Sequence, residues 1–190
     1  MRNLLIDVFF AISALSGLAQ DVPAPGDELS LRPGLVGKFW NVGKEMKNFP
    51  EEVTCEPASS CRVDGLINFD VREGRGFGDL PWKEEFAAIW TGMVRVPKDA
   101  EVTFYLKSHD GSKLYVDGVL WIDHDGTHPV KETASKAMRL SAGNHDLQLK
   151  YFQNNREGRL ILSWKYDGIE KEVIPATALW HSYEQDLDAK

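Results

Sequence analysis

The sequence has few cysteines and few basic residues, and it lacks the common motifs of hydrolytic enzymes. Its 190 residues include 2 cysteines and 22 lysine or arginine residues against 29 aspartate or glutamate residues, a net charge of −7. No lysine and arginine cluster forms the basic stripe that phosphates require, which argues against a nucleic-acid partner. Neither Gly-x-Ser-x-Gly nor His-Glu-x-x-His occurs. We therefore predict a protein that is not an enzyme.

The two cysteines, Cys55 and Cys61, are separated by a short polar loop that contains Pro57. Such a loop can be closed by a disulfide in an oxidising compartment, where the bond would add about 2 kcal/mol of stability. A zinc site would need further His or Cys ligands at suitable spacing, and none flank this pair. We predict a Cys55–Cys61 disulfide, with two free thiols as the alternative.

The N-terminus has the features of a secretory signal peptide. Arg2 precedes an apolar stretch over residues 4–18, which ends in small residues around Ala19. We predict a signal peptide over residues 1–19 and an extended linker over residues 20–33, hence a secreted or periplasmic protein. The alternative is an N-terminal anchor or a buried segment, although ~15 apolar residues are few for a membrane span. The mature chain is expected to have no membrane span.

The rest of the chain has the turn signals and the alternating segments that are typical of an all-β protein. Short stretches of alternating apolar and polar residues lie between turn signals such as Asp-Gly, and no long amphipathic helical pattern occurs. Neither a repeat nor an internal domain boundary is visible. The pattern predicts one all-β domain, either a sandwich or a barrel.

Residues 104–118 (FYLKSHDGSKLYVDG) carry this pattern most clearly. Two alternating segments flank His-Asp-Gly-Ser, and Asp117-Gly118 follows directly. Glycine tolerates a positive φ, and aspartate can hydrogen-bond its own turn backbone. We predict a β-hairpin over residues 104–118, with Asp110 at its exposed tip.

An ordered set of motifs resembles the PA14 domain family, a β-sandwich module of bacterial toxins, yeast adhesins and secreted glycosidases. The motifs are 34–40 (GLVGKFW), 67–70 (INFD), 90–92 (WTG), 104–118, 140–145 (LSAGNH), 149–152 (LKYF) and 160–164 (LILSW). The resemblance covers residues 34–181 and leaves residues 182–190 as a C-terminal tail. It implies a single sandwich of two antiparallel sheets with long loops.

The resemblance also implies carbohydrate recognition at the tip that carries Asp110. In lectin-like members a pair of adjacent acidic residues binds calcium there, and the calcium binds sugar hydroxyls. In this chain the pair is His109 and Asp110, so only Asp110 matches, and an imidazole nitrogen is a poor ligand for calcium. Asn154 and Asn155, in a loop rich in oxygen donors, are the candidates for further ligands. The resemblance implies calcium on Asp110 as a cofactor; alternatively, Asp110 only shapes its turn.

Two further features lie near this tip in the sequence. Trp121 follows the predicted hairpin and is a candidate platform for stacking a sugar ring. Residues 123–128 (DHDGTH) combine acidic residues with two histidines four positions apart. A zinc pair at that spacing needs a helix, which Asp125-Gly126 and Pro129 disfavour, so we predict a polar turn between strands.

These observations lead to two hypotheses about function. The first is a non-catalytic carbohydrate-binding module of an exported protein, with the glycan bound at the loops around His109 and Asp110. Its ligand-binding residues would be His109, Asp110, Asn154, Asn155 and Trp121. The second is a structural or protein-interaction module of the cell envelope that binds no sugar and contacts other envelope proteins.

Overall fold

The computed structural model of the protein describes residues 31–187. The predicted signal peptide lies outside the described residues, as does most of the predicted linker, and both stay predictions. The last part of that linker is not extended coil, because Leu31–Pro33 forms a strand that pairs with Trp180–Ser182 of the sheet. Part of the predicted tail is also ordered, since Tyr183–Leu187 forms a short α-helix, α1.

The described residues form fourteen strands. In chain order they are β1 Leu31–Pro33, β2 Leu35–Asn41, β3 Ser60–Asp64, β4 Asn68–Asp70, β5 Phe86–Val96, β6 Ala100–Ser108, β7 Ser112–Val116, β8 Val119–His124, β9 Lys131–Ala134, β10 Met138–Leu140, β11 Gly143–Gln153, β12 Arg159–Tyr166, β13 Ile169–Val173 and β14 Leu179–Ser182. Three short 3₁₀ helices, Glu51–Cys55, Val71–Glu73 and Ala176–Ala178, lie in the connections. No helix among the described residues is long and apolar enough to cross a membrane.

The strands form two antiparallel sheets, which confirms the predicted all-β sandwich. The eight-stranded sheet has the order β1-β14-β5-β11-β7-β8, with β2 paired to β5 and β3 paired to β2. The six-stranded sheet has the order β10-β6-β12-β13, with β9 paired to β6 and β4 paired to β12. Long connections join β2 to β3 and β4 to β5, in agreement with the long loops that the resemblance implies.

The predicted hairpin over residues 104–118 is wrong. β6 belongs to the six-stranded sheet and pairs with β9, β10 and β12, whereas β7 belongs to the eight-stranded sheet and pairs with β8 and β11. Residues 109–111 therefore carry the chain from one sheet to the other. The true hairpin is β7–β8, whose two-residue turn is Asp117-Gly118 with φ values of 49° and 73°.

The main core lies between the two sheets, and the burial patterns of the strands show which of their faces contribute to it. Every second residue of β6 is buried, from Ala100 to Ser108, as expected for a strand with one face on the core. By contrast, all five residues from Phe86 to Trp90 in β5 are buried. A second apolar cluster, in which Phe49 and Met46 pack on Phe152, covers the outer face of the sheet there. Residues 42–58 thus form a cover on one half of that face.

Candidate functional site

The candidate site lies where two connections cross between the sheets. The first crossing, residues 109–111, joins β6 to β7, and the second, residues 154–158, joins β11 to β12. Since β6 is a neighbour of β12 in one sheet and β7 is a neighbour of β11 in the other, the two crossings lie side by side. The backbone N of His109 donates to the carbonyl of Arg159 at 2.9 Å, and that of Phe152 donates to the carbonyl of Gly111 at 3.0 Å.

Asp110 is at the floor of this arrangement rather than at an exposed tip, which corrects the prediction from sequence. Only 1% of the residue is exposed. Its backbone N donates to the carbonyl of His128 at 3.1 Å, and its Oδ2 accepts a hydrogen bond from the backbone N of Asn154 at 2.9 Å. Its Oδ1 is buried and has no hydrogen-bond partner among the described residues. The crossing thus buries a carboxylate with one acceptor oxygen unpaired.

His109 lies directly beside this carboxylate. Its Nδ1 is 3.3 Å from Oδ2 of Asp110, and its Nε2 is 3.8 Å from a carboxylate oxygen of Glu157. The residue is 7% exposed, and Nδ1 makes no hydrogen bond within the part of the chain described. Among those residues there is no cis peptide bond, so the His109–Asp110 bond is trans. His109 therefore covers the carboxylate without being held by a strong contact.

Asn154 has a structural task that the sequence did not suggest. Its Oδ1 accepts from the backbone N of Met46 at 2.8 Å, and its Nδ2 donates to the carbonyl of Met46 at 2.8 Å. The hydroxyl of Thr127 donates to the same carbonyl at 3.0 Å. The Asn154 amide is therefore used in holding the cover, residues 42–58, against the crossings.

The side-chain amide of Asn155, unlike that of Asn154, makes hydrogen bonds only within its own loop. Its Oδ1 accepts from the backbone N of Glu157 at 2.8 Å and, more weakly, from Nε2 of Gln153 at 3.3 Å. These contacts fix the orientation of the amide. They leave its Nδ2 as a donor that makes no hydrogen bond to another described residue.

Together these segments line an open cleft of about 490 Å³, most of whose lining residues have polar side chains. Its lining contains four of the five predicted ligand-binding residues and five others, which are Glu45, Glu85, Thr127, His128 and Pro129. The five others come from the cover, from the loop before β5 and from the β8–β9 connection. Only the polar turn at residues 123–128 gave a signal in the sequence, because Glu45 and Glu85 lie in stretches without a distinctive motif.

Trp121, the fifth predicted residue, does not line this cleft. It lies on β8, is half-buried, and packs edge-to-face against Phe104 with a centroid distance of 5.2 Å. Since Phe104 is a core residue, Trp121 extends the apolar core at the sheet edge. Burial of a large aromatic area explains its position better than a sugar platform does.

Residues 123–128 span the end of β8 and the start of the β8–β9 connection, so the polar turn that the sequence predicts lies at residues 125–128. Asp125 Oδ1 accepts from the backbone N of Phe49 and of Gly126, both at 2.9 Å, and its Oδ2 lies 2.9 Å from Nζ of Lys113. The hydrogen bond with Asp125 raises the pKa of Lys113 despite partial burial. Asp125 therefore holds the cover through the hydrogen bond from Phe49 and ties the turn to β7 through the ion pair with Lys113.

The donor atoms around Asp110 do not fit a calcium shell. Calcium takes six to eight oxygen ligands. The described residues contain no group of three or more His, Cys, Asp or Glu side chains that could hold a metal. Oδ2 of Asp110 and Oδ1 of Asn154 already accept backbone hydrogen bonds. The calcium that the resemblance implies on Asp110 therefore has little support from the neighbouring atoms, and metal titration is the test of it.

The two cysteines are free thiols in the structure. Cys55 ends a 3₁₀ helix and is exposed, and Cys61 lies on β3 and is half-buried. The predicted disulfide is not formed there, and it stays a prediction for the oxidised protein.

Comparisons with known proteins agree with this architecture. The anti-sigma-I factor RsgI3 of Acetivibrio thermocellus is 31% identical over 121 residues, which are 64% of this chain and 19% of that protein. A solved anti-sigma factor domain-containing protein is 31% identical with a TM-score of 0.66, covering 79% of this chain and 48% of the other. The chain thus spans about a fifth and about half of these two relatives.

A second solved structure is similar over nearly its whole length. The PA14 sugar-binding domain from an RTX adhesin has a TM-score of 0.66 at 15% identity, covering 79% of this chain and 99% of the other, and it supports the fold alone. The PA14 domain family itself matches residues 31–178. That match runs from β1 to the last 3₁₀ helix, so it includes strands of both sheets and the cleft at the two crossings. The chain is therefore a member of the PA14 domain family.

Proposed function

We propose that this PA14 domain is a non-catalytic carbohydrate-binding module of an exported protein, and that it binds glycan in the Asp110 cleft. One observation carries the proposal: the buried Oδ1 of Asp110, without a partner, beside a polar cleft. A buried acceptor without a donor is costly, and a hydrogen bond to an ionised group is stronger than one between neutral groups. A sugar hydroxyl is a donor that would satisfy this oxygen.

His109 controls access to the carboxylate in this proposal. Because Asp110 is only 1% exposed, a hydroxyl reaches Oδ1 only when a neighbouring side chain moves aside. His109 is the neighbour whose Nδ1 has no hydrogen bond to hold it. Nδ2 of Asn155 then supplies a donor for a second sugar oxygen, while Asn154 positions the loop and the cover.

Two further observations support this assignment. A similar solved domain is named as a sugar-binding domain from an adhesin. Export fits the signal-peptide pattern of residues 1–19.

The Asp110→Asn variant should lose glycan binding while keeping the fold. Asparagine retains an acceptor for the backbone N of Asn154 but removes the charge that strengthens the hydrogen bond to a hydroxyl. We expect affinity for glycans found on an array to fall at least tenfold, about 1.4 kcal/mol. The matched control is Asp167→Asn, which neutralises an exposed aspartate in the turn after β12 and should bind as the native chain does.

Glycan binding should not depend on calcium. The donor set around Asp110 supplies too few free oxygens for a calcium shell, so titration in EDTA and in calcium should give the same affinity. A His109→Asp variant restores the acidic pair of the lectin-like family members and should make binding stronger in calcium than in EDTA. Loss of native binding in EDTA would instead show that the cleft uses calcium.

The alternative function is a structural or protein-interaction module of the cell envelope. It is supported by an exposed apolar pair on the edge strand β8, Val119 and Leu120, which are 57% and 43% exposed. The anti-sigma factor relatives also show that similar domains occur in larger proteins. A native chain that binds no glycan in either calcium or EDTA would favour this alternative.

A further inference from the structure

The outer face of the eight-stranded sheet carries a second, larger depression. Residues 42–58 cover only one half of this face. Beside this cover, and walled on one side by its residues 54–58, lie two adjoining cavities of about 700 and 540 Å³, which share Thr91 and Gln148 in their linings. The shared residues join the cavities into one groove, hereafter the sheet groove.

The floor of the sheet groove contains a row of polar side chains from three neighbouring strands. Gln148 on β11 lies directly opposite Thr91 on β5 and directly opposite Tyr115 on β7. All three are half-buried, and their side-chain polar atoms make no hydrogen bond to another described residue. Adjacent strands are ~4.8 Å apart, so the row spans roughly 10 Å across the sheet.

The walls of the groove are built from fixed elements. On one side, the segment after the first 3₁₀ helix is held by a hydrogen bond of 3.0 Å from Nε1 of Trp40 to the carbonyl of Glu56. On the other side, Gln185 of α1 contributes to the lining. Lys150 lies 5.5 Å from the ring centroid of Tyr115 and is itself paired with Glu51 at 2.6 Å. The Tyr115 ring is therefore restrained on one side by a cation whose charge is already balanced.

We propose that the sheet groove is a second carbohydrate-binding site, which takes an extended stretch of a neutral polysaccharide. This inference rests on the proposed carbohydrate binding and adds the class of ligand: a chain rather than a terminal sugar. Hydroxyl groups of a sugar chain pair with the amide of Gln148 and the hydroxyl of Thr91, and an aromatic ring such as Tyr115 packs on the apolar face of a pyranose. The row carries no net charge, which suits a neutral ligand.

The groove is separate from the Asp110 cleft, so the two sites can be tested independently. Lining residues of the two sites do not overlap. The cover lies between them, since Glu51 borders the groove through Lys150 while Met46 is held by Asn154 beside the cleft. A substitution in the groove row should leave the cleft intact.

The test measures binding of the full chain to hydroxyethylcellulose, xylan and galactomannan by affinity electrophoresis and calorimetry. For the polysaccharide bound by the native chain, Tyr115→Ala and Gln148→Ala should each weaken binding about tenfold. The matched control is Tyr105→Ala, which removes a tyrosine on the outer face of the other sheet that also has a lysine, Lys171, 4.7 Å from its ring centroid. It should bind as the native chain does.

Two results would overturn the inference. One is native affinity in both Tyr115→Ala and Gln148→Ala, and the other is a native chain that binds none of the three polysaccharides. Titration of the Asp110→Asn variant with short sugars distinguishes failure of the groove proposal from failure of the cleft proposal. If short sugars bind and respond to Asp110→Asn but not to the groove variants, the cleft proposal stands whether or not the groove proposal does.

Discussion

Replacing Gly111 with alanine is expected to lower the free energy of unfolding by about 1–3 kcal/mol. A Cβ at this position would lie 2.3 Å from Cε1 of Phe152 and 2.8 Å from the backbone N of Gly126. Phe152 is fully buried under the cover, and moving the backbone of Gly126 means moving the turn that Asp125 anchors. Rotation of a single side chain cannot relieve both contacts. Urea denaturation should show a lower midpoint with an unchanged slope.

The matched control for this change is Gly65→Ala. A Cβ on Gly65 would meet no atom within 4 Å, and its φ is not in the left-handed region. Alanine there should leave stability unchanged or raise it by about 0.4–1 kcal/mol, because it restricts the unfolded chain. If Gly111→Ala were as stable as Gly65→Ala, the close packing of the two crossings would be contradicted.

The Asp70→Asn variant should lose about 3–5 kcal/mol of stability, because it leaves Arg159 partly buried without its counter-charge. Asp70, at the end of β4, is 2% exposed. Its Oδ1 accepts a hydrogen bond from Nη2 of Arg159 at 2.9 Å, and its Oδ2 lies 2.7 Å from Nε in an ion pair. Arg159 begins β12 directly after the second crossing, so the pair also fixes that crossing to the six-stranded sheet. Urea denaturation at neutral pH measures the loss.

The same pair predicts how stability changes in acid. Burial favours the neutral acid, but the hydrogen bond and charge of Arg159 outweigh it and lower the pKa of Asp70 below its ordinary value. The unfolded chain therefore takes up a proton at a higher pH than the folded chain does. The contribution of Asp70 is fully present above about pH 4 and is lost as pH falls through the lowered pKa. Asp70→Asn should flatten this part of the acid-unfolding curve.

A surface pair provides the control. Glu170 is 95% exposed at its side chain and lies 3.8 Å from Lys165, so Glu170→Gln should change stability little at any pH. Equal losses of unfolding free energy in Asp70→Asn and Glu170→Gln would show that burial of the Asp70–Arg159 pair does not contribute to stability.

The alternation around residues 104–118 identified the buried faces correctly but paired the strands wrongly. Phe104 and Leu106 on one side, and Leu114 and Val116 on the other, are all core residues. Alternation specifies which face of a strand is apolar, and it does not specify the strand's partner. Two strands joined by a short crossing between sheets show the same pattern as a hairpin. Asp117-Gly118 was predicted correctly because its two positive φ values depend on local chemistry alone.

For the candidate site, the sequence indicated which residues come together but not the contacts that they make. The family resemblance pointed to His109, Asp110, Asn154 and Asn155, and the structure brings these four to one cleft. It could not show that the Asn154 amide is used by the backbone of Met46, because that contact joins residues 108 positions apart. Nearness in sequence also could not show that the Trp121 ring packs on Phe104 and does not line the cleft.

Because the cleft is built from connections that cross between the sheets, it exists only when both sheets have formed. Asp110 is held by contacts from connections that belong to both sheets, so a partly folded chain with a single sheet has no cleft. A ligand of this cleft binds the native state alone, and at 100 times its dissociation constant it would add about 2.7 kcal/mol to global stability. Proteases cut chains through opened forms, whose population falls as that stability rises. Occupancy of the cleft would therefore also protect the whole domain from proteolysis.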